Sequence, residues 1–323
     1  MRPTMIGVPL LMMQPERSEL PALLALLAGA LAIGSSGIFV RIAETGPVAT
    51  AFWRGALALP PLALWALIER RAPRRAAAPH PPAPLLDAGF LWAGVFFAGD
   101  IALWHLSLMR TSVAASTLEA NTAPIVVTVL AWALWGERPR LGFLLATLLA
   151  FFGMLLIVSP KLAAGGRGLA GDALALGAAW FYAAYILMVA RLRARHGTGV
   201  VMFASTLIFS LLLLPLPLVM GEKLLPDTAH GWLVLIGCAL SAQALGQSLI
   251  AYALAHLPAT LGSVALYLQV VASAGYAWLL LDERLTPVQL LGGIVVLVGI
   301  ALARASRGAR PRRQAAPAAA APG

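Results

Sequence analysis

Long apolar runs, each ended by a short polar break, dominate the pattern of hydrophobic and polar positions along the chain. A helix that crosses a membrane needs about 20 mostly apolar residues. Proline and charged residues mark the breaks between the runs that reach this length. The pattern therefore predicts ten transmembrane helices, at residues 20–40, 47–68, 88–108, 112–135, 141–159, 170–190, 199–220, 231–254, 260–281 and 287–304.

The second half of the chain repeats the first at an offset of 146 residues, so that Trp132–Arg138 recurs as Trp278–Arg284. Trp, Glu and Arg are scarce in a chain this apolar, and their recurrence in register indicates a duplication. Because five spans is an odd number, the second copy must insert upside down, as in many secondary transporters. The predicted fold is an all-α integral membrane protein with two inverted five-helix repeats, residues 20–160 and 170–305, around a central cavity.

Composition places this chain in a membrane. Of 323 residues, 60% are hydrophobic and 11% are charged, whereas soluble domains carry about 25% charged residues. A net charge of +10 would suit nucleic acid, but the basic residues lie in short loops and tails between apolar runs, so no nucleic-acid partner is expected. The lipid bilayer is the expected surrounding medium.

The distribution of Lys and Arg predicts the orientation in the membrane. Sixteen of the 23 lie in the two tails and in loops that share one side, and six lie on the other side. Positive residues favour the cytoplasmic side, so both termini are predicted in the cytoplasm of a bacterial-type inner membrane. Residues 1–19 are expected to form a cytoplasmic tail, and residues 306–323 a disordered basic tail.

The helix that carries Ala123-Pro124-Ile125 and ends in Gly136-Glu137-Arg138, followed by Gly153, resembles the drug/metabolite transporter superfamily, in its ten-helix EamA-domain branch. The resemblance covers both halves. It implies a central cavity formed by helices 1–4 and 6–9, with helices 5 and 10 outside, and export of amino acids or other small metabolites. Val270 stands where the second half would repeat Pro124, which predicts that helices 4 and 9 bend differently.

The family's glutamates, Glu137 and Glu283, fall at membrane edges in this chain. We interpret them as capping or gating residues that form ion pairs, and not as residues that contact the substrate.

Charges inside membrane spans point to a site in the first half. Arg54, Asp100 and Glu119 fall at similar depth in helices 2, 3 and 4, and such residues are expensive in lipid. They could bind a substrate ammonium group or a proton, with Arg54 as partner or as anchor for a carboxylate. They could also form an ion-paired cluster that only holds the helices together. At the 146-residue offset, the counterpart of Asp100 is Gly246 in helix 8 and that of Glu119 is Ala265 in helix 9. The negative charge is therefore confined to the first half.

Uncharged polar residues extend the predicted site to the second half. Gln243 and Gln247 are four residues apart and share one face of helix 8, while Asn121 and Tyr267 correspond at the same offset. They could line the cavity, or provide the interhelical hydrogen bonds that such residues often make in membranes.

Aromatic residues could wall the cavity or contact an amine through cation–π interactions. They are Trp104, Trp180, Tyr182 and Tyr185.

Other functional classes fit less well. An enzyme would need a nucleophile with a base, or clustered metal ligands; the histidines lack ligand spacing and the single cysteine lies in an apolar run. No metal, cofactor or catalytic residue is therefore predicted. A channel would need repeated pore charges, and a scaffold or receptor would not need an inverted duplication. The sequence predicts a secondary transporter without an ATP site, most simply an exporter of neutral or aromatic amino acids, with another small or drug-like solute as alternative. Coupling to protons and coupling to the substrate gradient both remain open.

Overall fold

Ten apolar helices make up the protein in a computed structural model that describes residues 19–71, 87–111, 113–136, 138–162, 168–281 and 284–306. Each helix is long and apolar enough to cross a membrane, and its ends lie within three residues of the prediction. The predicted terminal tails, except for a residue or so at their inner ends, lie outside the described residues, as do Glu137 and Glu283. The helices are α1 (Leu20–Ile42), α2 (Pro47–Arg71), α3 (Ala88–Ser107), α4 (Ala115–Trp135), α5 (Leu141–Pro160), α6 (Leu169–Arg193), α7 (Thr198–Val219), α8 (Ala229–Ala253), α9 (Ala259–Leu281) and α10 (Pro287–Ala305).

Helix α4 is interrupted in its middle, between the segments Val113–Ala120 and Ala123–Trp135. Pro124 has no N–H to continue the hydrogen-bond ladder, so the helix restarts just before it. Two side chains add hydrogen bonds to the backbone at the break, because the Asn121 side chain donates to Thr117 O at 2.8 Å. The Thr122 hydroxyl group donates to Glu119 O at 2.7 Å.

Helix α9 is interrupted at the corresponding place, between Ala259–Ala265 and Leu268–Leu281, although it has no proline there. Its backbone tightens instead into bonds from each N–H to the carbonyl three residues earlier, such as Tyr267 N to Val264 O at 3.1 Å. The two helices were expected to bend differently, yet both are interrupted at the corresponding position.

Helix α8 departs from α-helical geometry in another way. Its middle, Ala239–Gln247, is a π-helix between the α-helical segments Ala229–Cys238 and Ser248–Ala253. Such segments are rare and are frequent at functional sites. Three further helices break once: α1 at Ser35, α2 after Ala56 and α7 before Pro215.

Helices α5 and α10 form the most extensive helix pair in the described chain. Glycines allow this approach: a Cβ added at Gly153 would lie 2.6 Å from Val296 N, and one at Gly299 would lie 2.6 Å from Ala150 N. Elsewhere α3 packs on α6 and α7, α2 packs on α7, and α1 packs on α8 and α9. This arrangement leaves α5 and α10 at the side of the bundle and surrounds the polar residues with the other eight helices.

Candidate functional site

Arg54 of α2 and Asp100 of α3 lie within electrostatic reach of each other. Both side chains are half-buried, and the charge of Arg54 acts on the Asp100 carboxyl group. The guanidinium carbon of Arg54 also lies 5.5 Å from the ring centroid of Phe97, one turn before Asp100. The aromatic face thus stabilises the cation, and charged residues inside a membrane are candidates for a functional site.

A stack of aromatic rings continues from Phe97 towards α6. The ring of Phe97 is nearly parallel to that of Tyr185, with centroids 4.5 Å apart. Tyr185 in turn stacks on Tyr182 at 6.0 Å. Tyr182 ends the stack and is half-buried, whereas the first two rings are buried. The site therefore has a rigid aromatic wall with a polar hydroxyl group at its end.

Tyr182 joins the charged residues to α8. Its hydroxyl group lies near the side chain of Gln247 and within electrostatic reach of Asp100 and Arg54. One turn earlier on α8, Gln243 is fully buried and donates to the Thr206 hydroxyl of α7 at 2.9 Å. The carbonyl oxygen of Gln243 has no hydrogen-bond partner. The π-helical segment thus carries both glutamines towards the interior.

The two interrupted helices meet at a second polar point. The Gln269 side chain of α9 donates to the side-chain oxygen of Asn121, at the break in α4, at 3.4 Å. Gln269 was not predicted from the sequence, although a lone amide in an apolar run offered a signal. The contact places one hydrogen bond between the two breaks.

The remaining predicted residues lie on the same helices. Trp104 follows Asp100 by one turn on α3 and its ring meets that of His105 edge-on at 4.9 Å. Glu119 is half-buried and lies two residues before Asn121 on α4. Tyr267 is fully buried, its ring is 6.3 Å from that of Phe151 on α5, and its hydroxyl group has no hydrogen-bond partner.

One residue predicted for the aromatic wall of the cavity, Trp180, lies elsewhere. Trp180 is 52% exposed, so it faces the surroundings of α6 and does not form part of the aromatic wall. The apolar surroundings in a bilayer accept a tryptophan ring as readily as an internal cavity does, and sequence alone does not separate the two.

The geometry groups the predicted residues into two sets. Arg54, Asp100, Tyr182 and Gln247 lie within electrostatic reach of one another, with Gln243 one turn away. Asn121 pairs with Gln269. Within the described residues, no cluster of three His, Cys, Asp or Glu side chains is arranged to hold a metal ion. A carboxylate, a guanidinium, a hydroxyl group and amides beside an aromatic wall can bind a small solute that carries both charges.

In the described part of the chain, ten helices are long and apolar enough to cross a membrane, and polar residues of several of them lie inside the bundle. These features define a multi-pass membrane protein with the architecture of a solute carrier. The chain belongs to the EamA-like transporter family, which matches residues 20–159 and 169–305. This membership confirms the resemblance to the drug/metabolite transporters and places the protein among transporters and not among enzymes.

Two similar proteins have described cargoes. The chain is 29% identical over 198 residues to the pseudopaline exporter CntI of Pseudomonas aeruginosa (strain UCBPP-PA14). This match covers 61% of this chain and 68% of the exporter. It is 30% identical over 184 residues to the threonine/homoserine exporter RhtA of Escherichia coli (strain K12). That second match covers 54% of this chain and 60% of RhtA.

A solved crystal structure has a similar fold. It matches 90% of this chain and all of its own chain with a TM-score of 0.75, at 16% sequence identity. The TM-score supports a common fold. An identity this low carries no information about the solute.

Proposed function

We propose that the protein exports small zwitterionic metabolites, most simply neutral or aromatic amino acids, by alternating access. The observation that carries this proposal is the position of Tyr182, which lies near Gln247 and within electrostatic reach of Asp100 and Arg54. Residues from both halves of the chain thus meet at one polar point inside the bundle. Transporters built from two halves hold their solute at such a meeting point.

Each group has a role that follows from its chemistry. Asp100 accepts hydrogen bonds from the ammonium group of the solute, and Arg54 donates to its carboxylate. Tyr182 and Gln247 orient the polar end, while the Phe97 stack contacts the apolar side chain. Asn121 and Gln269, at the two helix breaks, join the ends of the site that must move relative to each other.

Glu119, Trp104, Gln243 and Tyr267 stay in the proposal as residues lining the site. The buried side-chain oxygens of Gln243 and Tyr267 lack hydrogen-bond partners. Buried polar atoms usually have a partner, so a bound solute or water reaching them would complete their hydrogen bonding.

A different small solute is the second candidate. The match to the pseudopaline exporter covers more of this chain than the match to the threonine/homoserine exporter. The cargo therefore need not be threonine or homoserine. A purely structural role for Arg54 and Asp100 is the third possibility, and the experiment below separates it from the other two.

Inner-membrane location with cytoplasmic termini is part of the proposal and rests on the distribution of Lys and Arg. Fusion of alkaline phosphatase and green fluorescent protein reporters to the C-terminus tests it: the fluorescent fusion should be bright and the phosphatase fusion inactive. The reverse result would invert the orientation.

The transport experiment uses purified protein in proteoliposomes loaded with labelled amino acids. We expect efflux of at least one neutral or aromatic amino acid, stimulated by the same unlabelled amino acid outside. Asp100→Asn should strongly reduce the flux while the protein elutes as a folded monodisperse species. Absence of flux for every amino acid, with flux of another solute, would transfer the site to the second candidate. Normal flux in the Asp100→Asn variant would leave only a structural role for the carboxylate.

A further inference from the structure

Helices α2 and α7 begin in the same unusual way. Each is preceded by a glycine N-cap, Gly46 with φ −61° and ψ 158°, and Gly197 with φ −65° and ψ 157°. A glycine has no side chain to accept from the first free N–H groups of its helix, although these groups need partners. At a membrane edge those partners must come from elsewhere.

In both cases the partner is a glutamate from the end of the other helix. Glu222, three residues after α7, accepts from Ala49 N of α2 at 2.8 Å. Glu69, in the last turn of α2, accepts from Val200 N of α7 at 3.2 Å. Ala49 and Val200 are each the third residue of their helix, so the two caps are geometrically equivalent.

The glycines make room for these carboxylates. A Cβ at Gly46 would collide with the carboxylate of Glu222, and one at Gly197 would collide with that of Glu69. The two contacts therefore depend on the same pairing of a bare N-cap with a carboxylate supplied by the partner helix. Negative charge at a helix N-terminus is also favoured by the helix dipole.

The body of the pair is closely packed between the caps. A Cβ at Gly55 of α2 would meet the side chains of Phe209 and Ser210 on α7, and one at Gly199 would lie 2.9 Å from Ala66 N. The two helices run antiparallel, because the N-terminus of each lies at the C-terminal end of the other. Small residues and caps thus join them along their whole length.

We propose that the two reciprocal carboxylate caps, Glu69 on α7 and Glu222 on α2, hold α2 and α7 together as one rigid pair throughout the transport cycle. Contacts that gate a transporter alternate, because one side opens when the other closes. Here the caps at both ends are formed in the same structure, which is expected of permanent fasteners. Arg54 would then move with α7, and Glu69 and Glu222 act as positioning residues for it. This inference rests on the proposed transport function.

Replacing each cap by a reversible covalent bond tests the proposal. In a Cys238→Ala background, which removes the single cysteine, the variants are Gly46→Cys/Glu222→Cys and Gly197→Cys/Glu69→Cys. A disulfide needs Cβ atoms about 3.5–4.5 Å apart. The Cβ built at Gly46 is 2.7 Å from the Cβ of Glu222, so the connecting loop has to yield by about 1 Å.

The reduced variants should have lower melting temperatures than the background protein, and slower transport. Oxidation should raise the melting temperature and return transport to within about twofold of the background, at both ends of the pair. Variants that transport when reduced and stop when oxidised would overturn the proposal, because the helices would then have to separate. A Cys238→Ala protein that is folded but transports none of the tested solutes would refute the proposed function and not the pairing, which the melting temperatures still report.

A second measurement avoids cysteines. Glu69→Gln and Glu222→Gln keep the shape of each cap and lose its charge, so both should lower the melting temperature and change the apparent solute affinity in the same direction, whichever side of the membrane is assayed. If the caps were gates, the two variants would favour opposite orientations. Opposite shifts in affinity measured from the two sides would therefore contradict the proposal.

Discussion

Helices α3 and α8 occupy corresponding places in the two predicted halves, yet they present different chemistry to the site. Helix α3 is α-helical throughout and carries the carboxylate of Asp100, whereas α8 is π-helical in its middle and carries the amide of Gln247. Tyr182 lies beside both side chains. The site is thus built from similar elements with a charge on one side only.

The contacts of two glycines show how the helices correspond. A Cβ at Gly99 of α3 would collide with the ring of Phe181 on α6, and a Cβ at Gly246 of α8 would lie 2.8 Å from the Ile33 side chain of α1. Since α6 and α1 are the first helices of the two predicted halves, these contacts favour a register in which Gly246 takes the place of Gly99. The gapless offset of 146 residues instead matches Gly246 with Asp100.

The π-helical segment explains this shift by one residue. A π-helix bonds each N–H to the carbonyl five residues back, and so accommodates an extra residue within the helix. In this register, Gln247 and not Gly246 corresponds to Asp100 of α3. We therefore interpret the lack of a charge in α8 as a substitution of amide for carboxylate at one position of the site.

The largest effect is expected from Asp100→Asn, which gives α3 the same chemistry as α8. A hydrogen bond to a charged group contributes about 1.5–3 kcal/mol, so transport efficiency should fall about 10- to 150-fold. Initial rates of counterflow in proteoliposomes measure it. Gln247→Asn is the matched change on α8 and should reduce transport less. Equal losses in the two variants would remove the distinction between the helices.

Moving the carboxylate to α8 distinguishes the two registers. Starting from Asp100→Asn, the additional change Gln247→Glu should restore part of the lost transport, because it returns a negative charge to the same space. Gly246→Asp should instead lower the melting temperature by several degrees, since Ile33 leaves no room, and overpacking costs about 1–3 kcal/mol. Rescue by Gly246→Asp without rescue by Gln247→Glu would reinstate the 146-residue register.

A smaller effect is expected from Tyr182→Phe, which removes the hydroxyl group proposed to orient the solute while keeping the aromatic stack. A neutral hydrogen bond contributes about 0.5–1.5 kcal/mol, so the apparent solute affinity should weaken about 2- to 13-fold. Concentration dependence of counterflow gives this value. Tyr185→Phe serves as control and should change it less, because Tyr185 is buried between two rings and Gln247 lies near Tyr182.

The smallest effect concerns the first turns of the same two helices. Asp87 caps α3 by accepting from Gly89 N at 2.8 Å, and this bond, with His196 at 3.2 Å, lowers the pKa of the carboxyl group. A carboxylate with a lowered pKa stabilises the fold above its unfolded pKa, about 3.9, and loses this effect as the pH falls through the folded value.

Asp87→Ser, which leaves a neutral cap, should therefore destabilise the protein by about 0.5 kcal/mol at pH 7. The difference should decrease as the pH falls below the unfolded pKa, about 3.9, and through the lowered pKa of the folded state. Thermal unfolding in detergent across this pH range measures it. Thr228 caps α8 without a charge of its own, and Thr228→Ser is the control. A difference for Asp87→Ser that does not change with pH would show that the charge does not matter.

The sequence predicted the helices well because crossing a membrane demands a continuous apolar length, and that demand is visible in hydropathy. It did not predict the break in α9 or the π-helical segment of α8, since both depend on which backbone carbonyl group accepts a hydrogen bond from each N–H group. Packing between helices determines these hydrogen bonds, and the pattern of apolar residues does not reveal them.

The candidate site was predicted in part. Charged and amide residues in apolar helices signalled Arg54, Asp100 and Gln247, because burying them in lipid is expensive. The prediction that Trp180 forms part of the aromatic wall was wrong, since both lipid and protein interiors accept an indole ring. Gln269 was missed, because its relation to Asn121 appears only when the two helix breaks are seen side by side.

The close pairing of α5 and α10 has a consequence for biogenesis. Each of these helices closes one family-matched segment, at the end of residues 20–159 and 169–305, and a chain made from its N-terminus delivers α10 last. Until then, the glycine face of α5 at Gly153 has only lipid or other helices as neighbours. The first half therefore remains without its contact to α10 until the end of insertion. Nascent chains that stop before Pro287 should be preferred substrates of membrane proteases.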